Sequence, residues 1–377
     1  MEEASKYINI ISFTEKGESL AKRLSTYLFQ SQQKDQADCE CDRDLIKCIS
    51  KCRASKSYSA IRLSECAKES FEKKQGMIFI GAAGIAVRTI APFLKDKLHD
   101  PFVIVIDENG DYVIPILSGH VGRANEYARK IAAFLNAQAV ITTATDVSHC
   151  FAADLFAQKN NYVIQNKEGI ARVSAKTLAH QNVTVRCENM LVTLSFEGTV
   201  LKEESIEQSE KESEKKQISD QSVPEKEADI IISPFIQDGK KGSLWLVPRC
   251  IVVGVGCRRK KEAALIKQTI CERLAQSGIA KKAVCQITSI DRKKDEAGLI
   301  ETAADFNVEF VTFTEEKLRQ VPGNFSSSAF VEKTVGVDNV CERSAMAAAP
   351  QGILLARKYA KDGVTVAIAM HTFFPVF

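Results

Sequence analysis

A histidine between glycines is the feature of this sequence with the clearest chemical potential. The segment Ser118-Gly119-His120-Val121-Gly122 lies between a run typical of a strand and a run typical of a helix. Glycine lets backbone N–H groups approach a ligand closely, and a helix N-terminus attracts negative charge. Imidazole is a base, an acid or a metal ligand near neutral pH. The segment therefore predicts either a ligand site centred on His120 or a capping loop with a solvated histidine.

Two further segments of the first 150 residues have residues suited to binding or catalysis. Gly81 to Arg88 (GAAGIAVR) is a second strand-to-helix turn, in which Arg88 follows Gly84 by one helical turn. Arg88 either binds a carboxylate or lies on a solvated face after a simple chain reversal. The segment 142–146 (TTATD) follows a strand, so its side chains are expected at the carboxyl edge of the sheet, where ligands bind in open α/β folds. Asp146 alternatively caps the helix that begins near Phe151.

The last third of the chain contains two charged turns. The segment 254–258 (GVGCR) resembles the start of a dinucleotide fingerprint, but Arg259 stands where a third glycine is needed. No acidic residue ends a strand at the expected distance. We interpret the segment as an anion-binding turn in which Arg258 and Arg259 supply positive charge. The segment 291–296 (DRKKDE) follows a strand and is either a binding loop or the acidic start of a helix.

Four cysteines, Cys39, Cys41, Cys48 and Cys52, crowd a polar stretch near the N-terminus. Their spacing matches no zinc or iron–sulfur pattern, because such sites use paired CxxC units. We interpret them as unpaired, reduced thiols in a variable loop, and we predict no metal site.

The composition indicates an ordinary globular protein with two or three domains. The chain has 377 residues, of which 45% are hydrophobic and 26% charged, and its formal net charge is +3. That charge is too small to indicate nucleic-acid binding. No signal peptide is visible, and no apolar run approaches the ~18 residues needed to span a bilayer. We therefore expect a cytoplasmic protein with no nucleic-acid or membrane partner.

The elements that must position these residues follow an α/β pattern. Residues 1–146 alternate strand and helix patterns, which predicts an N-terminal three-layer α/β domain. Residues 147–200 predict a small middle domain, and 201–244 a charged linker and lead-in. Within this stretch, 202–229 is rich in Glu, Lys, Ser and Gln and has too little apolar surface to order itself. Residues 245–377 predict a C-terminal α/β domain.

Taken together, these segments resemble the CbiG family of anaerobic cobalamin biosynthesis. The resemblance covers about residues 75–175 and 245–370, from GAAGIAVRTIAPF through LSGHVGRANEYARK to TTATD, then VPRCIVVGVGCRRKKE, SIDRKKDEAGLIETA, VGVDNVCERSA and GVTVAIA. It rests on the ordered set of motifs. The sequence departs from the family pattern in the cysteine-rich segment 31–58, in the charged linker, in the aromatic tail and at Arg123, where a second glycine is common.

The resemblance implies a hydrolase that acts on cobalt-precorrin-5A. This activity opens a δ-lactone on a cobalt-bearing tetrapyrrole and releases acetaldehyde. The family implies no resident cofactor, because cobalt enters as part of the cobalt-corrinoid substrate. It leaves open a homo-oligomer and transient contact with the methyltransferases of the pathway.

Residue roles within this reaction are hypotheses from side-chain chemistry. His120 is our candidate general base, and Asp146 orients it or shares in proton transfer. Amides near Gly119 and Gly84 are candidates to hold the oxyanion. Further substrate contacts are predicted at Arg88, Arg258 and Lys293, which suit carboxylates, and at Ser118, Asn125, Gly256, Glu296 and Glu342.

Two other functions are compatible with the sequence. A non-catalytic corrinoid carrier would bind the lactone and pass it on with its mass unchanged. A nucleotide-dependent enzyme is weakened by the broken fingerprint and by the lack of a P-loop.

Overall fold

The computed structural model describes residues 7–34, 45–96, 99–187, 190–205, 228–237, 242–327 and 336–377. These residues form two compact units, which meet in the chain between His149 and Cys150. The first unit contains one six-stranded sheet, and the second contains a six-stranded and a five-stranded sheet. Within the described part of the chain, no helix is both long enough and apolar enough to cross a bilayer.

The sheet of the first unit has the strand order β2-β1-β3-β4-β5-β6. Its strands are β1 (Ile8–Ser12), β2 (Ile46–Ser50), β3 (Gly76–Ile80), β4 (Val103–Ile106), β5 (Tyr112–Leu117) and β6 (Gln138–Ala139). β1 to β4 are parallel, β5 returns antiparallel to β4, and β6 is parallel to β5. The chain segments that follow β5 and β6 therefore lie at the edge of the sheet opposite to those that follow β1, β3 and β4.

Helices cover both faces of this sheet, which confirms the predicted three-layer α/β arrangement. They are α1 (Glu15–Lys34), α2 (Leu63–Glu72), α3 (Ala83–Ile90), α4 (Ala124–Leu135) and the short α5 (Ala144–Val147). Leu24 of α1 and Ile131 of α4 pack with Ile78 and Ile104 on one face. Phe71 of α2 and Ile90 of α3 pack with Phe79 and Val105 on the other. Because successive side chains of a strand point to opposite faces, the wholly apolar runs of β3 and β4 suit a sheet buried on both sides.

The first sheet of the second unit has the order β10-β9-β8-β11-β12-β7. Its strands are β7 (Tyr162–Ile164), β8 (Val183–Cys187), β9 (Met190–Leu194), β10 (Val200–Ser205), β11 (Ile230–Ile232) and β12 (Leu244–Pro248), and its helices are α6 (Ala153–Lys159) and α7 (Lys167–Leu178).

The structure differs from the sequence prediction at both ends of the charged segment. β10 continues to residue 205, and β11 inserts between β8 and β12, so this sheet extends beyond residue 200 to Pro248. The three isoleucines of β11 are at most 2% exposed, and their burial stabilises this long-range pairing. Asp229 beside them forms an ion pair with Lys176 at 2.7 Å. The rest of the predicted linker, residues 206–227, lies outside the described residues.

The second sheet of this unit has the order β15-β14-β13-β17-β16. Its strands are β13 (Ile251–Cys257), β14 (Val284–Ile290), β15 (Glu309–Phe313), β16 (Ile353–Lys361) and β17 (Val364–Met370), and its helices are α8 (Ala263–Gln276), α9 (Ala297–Phe306), α10 (Glu315–Gln320) and α11 (Cys341–Ala348). α8 and α9 pack on one face through Ile270 and Leu299. Ala345 of α11 packs with Val252 of β13. β13 to β15 are parallel, so their carboxyl ends meet at one edge.

Gly254 and Gly256 lie within strand β13, which corrects their interpretation as an anion-binding turn. A Cβ added at Gly254 would lie 1.9 Å from the carbonyl oxygen of Cys341, because α11 crosses the strand at this point. A Cβ at Gly256 would lie 2.6 Å from the Thr365 hydroxyl. The glycines therefore make room for α11 and β17, and the turn begins only at Arg258.

Replacing Gly254 with alanine is expected to destabilise the protein by about 1–3 kcal/mol or more, because the new methyl group occupies space filled by backbone. Chemical denaturation followed by circular dichroism measures this change. Gly278→Ala is the matched control, since its Cβ would meet nothing within 4 Å and only its φ of +64° is unfavourable. Equal destabilisation by the two substitutions would contradict the close helix–strand contact.

Candidate active site

The His120 imidazole and the Asp146 carboxylate form the centre of the candidate site. Nε2 of His120 lies 2.7 Å from Oδ2 of Asp146, and the two side chains are only 11% and 13% exposed. His120 follows β5 and Asp146 follows β6, and these parallel neighbours end at the same edge of the sheet. The strand direction therefore brings together two segments that are separate in the sequence.

Glycines shape the loop that presents His120. Ser118 has a left-handed backbone with φ of +54°, and its hydroxyl donates to the carbonyl oxygen of Asp100 at 2.8 Å. A Cβ at Gly119 would lie 2.8 Å from Oδ1 of Asn125, and one at Gly122 would lie 2.5 Å from the Ser118 Cβ. We predicted Ser118 and Gly119 as substrate contacts. In the structure, both residues help to determine the conformation of the loop that contains His120.

The Asp146 carboxylate is held from two further directions by helix α4. Asn125 Nδ2 donates to Oδ2 at 2.8 Å, and Arg129 Nη2 donates to Oδ1 at 2.6 Å. Asn125 also donates to the Thr143 hydroxyl at 3.0 Å, while the Thr145 hydroxyl lies 3.3 Å from His120 Nε2. Both oxygens of Asp146 are therefore hydrogen-bonded.

Asp146 does not cap the helix after it, the alternative that the sequence left open. It lies inside α5, whereas the following helix α6 is preceded by Ala152. The segment 142–146 therefore supplies side chains to the His120 site.

The electrostatics of the site keep Asp146 ionised at neutral pH. Burial acts to raise the pKa of Asp146, but hydrogen bonds from Arg129, His120 and Asn125 outweigh burial and hold the pKa below its usual range. An ionised carboxylate can only accept, so Nε2 of His120 donates its hydrogen to Asp146. In a neutral imidazole the other nitrogen, Nδ1, then has the lone pair that can accept a proton. The pair can therefore orient His120 as a base and stabilise the imidazolium that forms after proton transfer.

Gly84 and Arg88 lie at the opposite edge of the same sheet. The GAAG turn follows β3, which runs antiparallel to β5, so a strand length of roughly 15 Å separates the two edges. Arg88 is exposed, and its Nη1 donates to the Gly84 carbonyl oxygen at 3.4 Å. The amides of Gly84 and Gly119 therefore do not form a shared oxyanion site within this unit, because the β4–β5 hairpin reverses the chain between them.

A cavity of ≈ 620 Å³ opens at the carboxyl edge of β13 and β14 in the second unit. Four cationic residues line it together with acidic ones: Arg259, Lys260, Lys261, Arg292, Glu262, Asp295, Glu296 and Glu301. Lys293 forms an ion pair with Glu296 at 2.9 Å, and these side chains are 12% and 9% exposed.

Glu296 connects the two loops that form the cavity, because it pairs with Lys293 of its own loop and accepts from the backbone of the other. Burial acts to raise the pKa of Glu296, but the bond from Lys293 and backbone N–H groups of Lys260 and Lys261 hold it below its usual range. Much of the Lys293 charge is thus compensated by Glu296. Arg258 lies beside the cavity, where its backbone N–H donates to the Gly363 carbonyl oxygen at 3.2 Å.

Glu342 has a structural place inside the second unit. Its side chain is fully buried and accepts hydrogen bonds from the backbone N–H groups of Ser326 and Lys358 and from the Ser326 hydroxyl, at 2.7–2.8 Å. This burial argues against a direct contact with substrate, because a ligand cannot reach a carboxylate that is already enclosed.

The cysteine cluster is only partly within the described residues. Cys48 lies in β2, a strand of the parallel sheet, and therefore not in a loop as we predicted. Cys39 and Cys41 lie outside the described residues. Among the residues that the structure describes, no group of three or more His, Cys, Asp and Glu side chains is placed to hold a metal ion.

Arg129 is the site residue that the sequence analysis missed. It follows Asn125 by four residues in α4, a spacing that places two side chains on one face of a helix. That signal is present in the sequence, but it selects Arg129 only once Asn125 is known to face Asp146.

Comparisons with known proteins agree on one family. Two family models match the chain, "Cobalamin synthesis G N-terminal" over residues 65–146 and "Cobalamin synthesis G C-terminus" over residues 251–369. The cobalt-precorrin-5A hydrolase of Salmonella typhimurium is 36% identical over 307 residues, which cover 81% of this chain and 84% of the relative. The cobalt-precorrin-5A hydrolase of Priestia megaterium is 34% identical and covers 80% and 79%.

Among solved structures, a cobalamin biosynthesis protein G homolog from Sulfolobus solfataricus covers 98% of both chains at 20% identity, with a TM-score of 0.34. The structure of CobE, a protein of the cobalamin biosynthetic pathway, covers 33% of this chain and 92% of its own, at 26% identity and a TM-score of 0.31. His120, Asn125, Arg129 and Asp146 all lie within the residues that the N-terminal family model matches.

Proposed function

Since this chain belongs to the CbiG family of cobalamin biosynthesis, we propose that it is a cobalt-precorrin-5A hydrolase. The relatives carry that name at 36% and 34% identity over most of the chain. The structural observation that best supports catalysis is the largely buried His120–Asp146 pair at 2.7 Å. A protein that only carried the corrinoid would have no need to hold a carboxylate ionised against a histidine.

The reaction that we propose begins with hydrolysis of the δ-lactone. Water attacks the lactone carbonyl while His120 accepts its proton, and Asp146 stabilises the resulting imidazolium. Collapse of the tetrahedral intermediate breaks the carbonyl–oxygen bond to the ring oxygen. This oxygen leaves as a hydroxyl group on the former bridging carbon, and the acetate arm becomes a carboxylate.

Release of acetaldehyde follows from that hydroxyl group. A base removes its proton, the bridging carbon forms a C=O bond, and its bond to the macrocycle breaks. The electron pair stays on the macrocycle, which takes up a proton, and the bridging carbon leaves with its methyl group as acetaldehyde. His120 is suited to both proton transfers, because a neutral imidazole accepts a proton and the imidazolium returns one.

The decisive experiment is to incubate the purified protein with cobalt-precorrin-5A and to measure acetaldehyde together with the mass of the corrinoid. We expect stoichiometric acetaldehyde and conversion to cobalt-precorrin-5B. A corrinoid carrier would bind the lactone, leave its mass unchanged and release no acetaldehyde, and that result would contradict the proposal.

We further propose that cobalt arrives with the substrate and that the polypeptide brings no metal of its own. We also propose that the reaction takes place in the cytoplasm. Metal analysis of protein isolated from cells that make no corrinoid checks the first point, and a stoichiometric metal there would contradict it.

The cavity of the second unit, where four cationic residues stand among acidic ones, is our candidate for binding the acidic side arms of the corrinoid. Replacing Arg259 and Arg292 together with glutamine should raise KM about tenfold and leave kcat within about twofold, since two exposed charge pairs contribute up to ~1 kcal/mol each. Steady-state kinetics at low and high salt measure the change, which should shrink at high salt. Lys267→Gln is the control, because this lysine of α8 pairs with Asp305 and does not line the cavity. An unchanged KM in the double variant would exclude the cavity as a binding site.

A further inference from the structure

Arg129 connects the buried His120–Asp146 pair to the protein surface. Its side chain is 54% exposed, whereas that of Asp146 is 13% exposed. Asn125, the other helix residue that contacts this carboxylate, is buried. Of the two residues of helix α4 that donate to Asp146, Arg129 is therefore the one that a ligand can reach.

We propose that Arg129 both positions Asp146 and binds the carboxylate that is set free when the lactone opens. This inference rests on the proposed function of the same site. A guanidinium group has five N–H donors in a rigid plane, so it can hold two carboxylates at once. Nη2 of Arg129 donates to Oδ1 of Asp146. The other N–H groups of the guanidinium lie in the same plane, and those on its exposed side can donate to a second carboxylate.

The charge of the site changes during the reaction in a way that suits this role. Before catalysis, ionised Asp146 is balanced by Arg129, and the proposed mechanism requires His120 to start as the neutral base. Lactone opening creates one new carboxylate and one imidazolium, so a second anion appears beside the guanidinium while a cation appears beside Asp146. Because charge-assisted hydrogen bonds are stronger than neutral ones, Arg129 gains an interaction that the neutral lactone does not make. Such an interaction favours the transition state over the substrate.

The position of Arg129 also keeps Asp146 in place. Asp146 Oδ2 accepts from His120 and Asn125, and Oδ1 accepts from Arg129. Without Arg129 the carboxylate can rotate about its Cβ–Cγ bond, and the direction of the bond to Nε2 is less well defined. Arg129 is therefore a positioning residue for His120 through Asp146.

The test compares Arg129→Gln with Lys130→Gln under steady-state conditions. Lys130 is the next residue of the same helix, and its ammonium pairs with Glu126 at 3.0 Å, away from Asp146. For Arg129→Gln we expect kcat to fall about 10- to 100-fold, the loss of one charge-assisted hydrogen bond. KM for the lactone should stay within about twofold, because the lactone lacks the new carboxylate. Inhibition by the product should weaken about tenfold, and added guanidinium should restore part of kcat in Arg129→Ala.

A second measurement tests the positioning role without substrate. The chain has five histidines, so nitrogen-labelled imidazoles can be resolved by NMR and His120 assigned with His120→Gln. Arg129→Gln should shift or broaden the Nε2–H signal of His120, and Lys130→Gln should leave it unchanged. If the wild-type protein releases no acetaldehyde, the proposed function fails while this measurement still decides the positioning role. If the wild type is active and Arg129→Gln matches Lys130→Gln in kinetics and in the spectrum, the inference about Arg129 is wrong.

Discussion

Replacing His120 with alanine should lower acetaldehyde formation by about 10²–10⁴-fold, the usual contribution of general acid–base catalysis. Water attacks a lactone slowly at neutral pH, so a base held beside the carbonyl has a large effect. His120 suits this task because ionised Asp146, 2.7 Å from Nε2, fixes the ring and stabilises its protonated form. The measurement is single-turnover formation of acetaldehyde at saturating substrate, which separates chemistry from binding.

The effect on folding should be small by comparison. His120 lies in a loop, and its loss removes one hydrogen bond to Asp146, which keeps its bonds from Asn125 and Arg129. We expect a cost of about 1 kcal/mol in the free energy of unfolding. Thermal unfolding checks that a low rate is not due to unfolded protein.

His99→Ala is a well-matched control for this experiment. His99 belongs to the same unit and also contacts an aspartate, since its Nδ1 lies 2.8 Å from Oδ2 of Asp96. Its side chain is 52% exposed, and its partner Asp96 is only three residues away in the sequence. We expect turnover within about twofold of wild type for this variant, as for most surface substitutions.

Glutamine at position 120 separates proton transfer from other roles. His120→Gln keeps a polar side chain but cannot accept a proton at neutral pH, so it should be as slow as alanine. If His120 instead binds cobalt, both variants should lose corrinoid affinity and the histidine-dependent shift in the visible spectrum of bound substrate. Near wild-type turnover in His120→Ala would exclude it as the base.

The apolar runs of the sequence predicted the layered fold well. The largely apolar run 364–370 forms strand β17, and short apolar runs of the sequence also form the buried strands β3 and β4. Strand β11 was missed because three isoleucines between Asp229 and Ser233 are a short and weak local signal. Its pairing with β8, more than 40 residues earlier in the chain, is a long-range contact that no local pattern reports.

The site was only partly predictable for a related reason. His120 and Asp146 were identified from strand-to-helix segments, and their contact depends on β5 and β6 running in the same direction. The separation of Gly84 from His120 follows from the hairpin at 107–110, where the sequence Asp-Glu-Asn-Gly is typical of a turn. A hairpin reverses the chain, so the segment after its second strand lies at the opposite edge from the GAAG turn. Arg129 required knowledge of which face of α4 meets Asp146.

Asparagine in place of Asp146 should lower kcat by about 10²–10³-fold, because its amide cannot balance an imidazolium and its NH₂ group donates where the carboxylate accepts. His120 would then be free to adopt the wrong tautomer or ring orientation. Because the two residues act as one unit, His120→Ala combined with Asp146→Asn should be little slower than His120→Ala alone. A double variant that shows the product of the two separate losses would contradict the coupling.

The stability of Asp146→Asn should differ from that of the wild type in a pH-dependent way. Burial alone would raise the pKa of Asp146, but the bonds from Arg129, His120 and Asn125 lower it, so the folded pKa lies below the unfolded value near 3.8. A group with a depressed folded pKa stabilises the protein above its unfolded pKa, and this contribution is lost as the pH falls through the folded pKa. The free energies of unfolding should therefore differ most at neutral pH, by about 1–3 kcal/mol. The difference should begin to shrink only as the pH falls below the unfolded value near 3.8, and it should vanish below the folded pKa.

Asp305→Asn is the matched control for both measurements. Its carboxylate also has a lowered pKa, caused by the hydrogen bond from Lys267, but it lies on the exposed surface of α9 in the second unit. It should change stability with the same sign of pH dependence and leave kcat within about twofold, as expected for a surface position. If Asp146→Asn behaved in the same way, with turnover preserved, Asp146 would only stabilise the fold and His120 would act without its help.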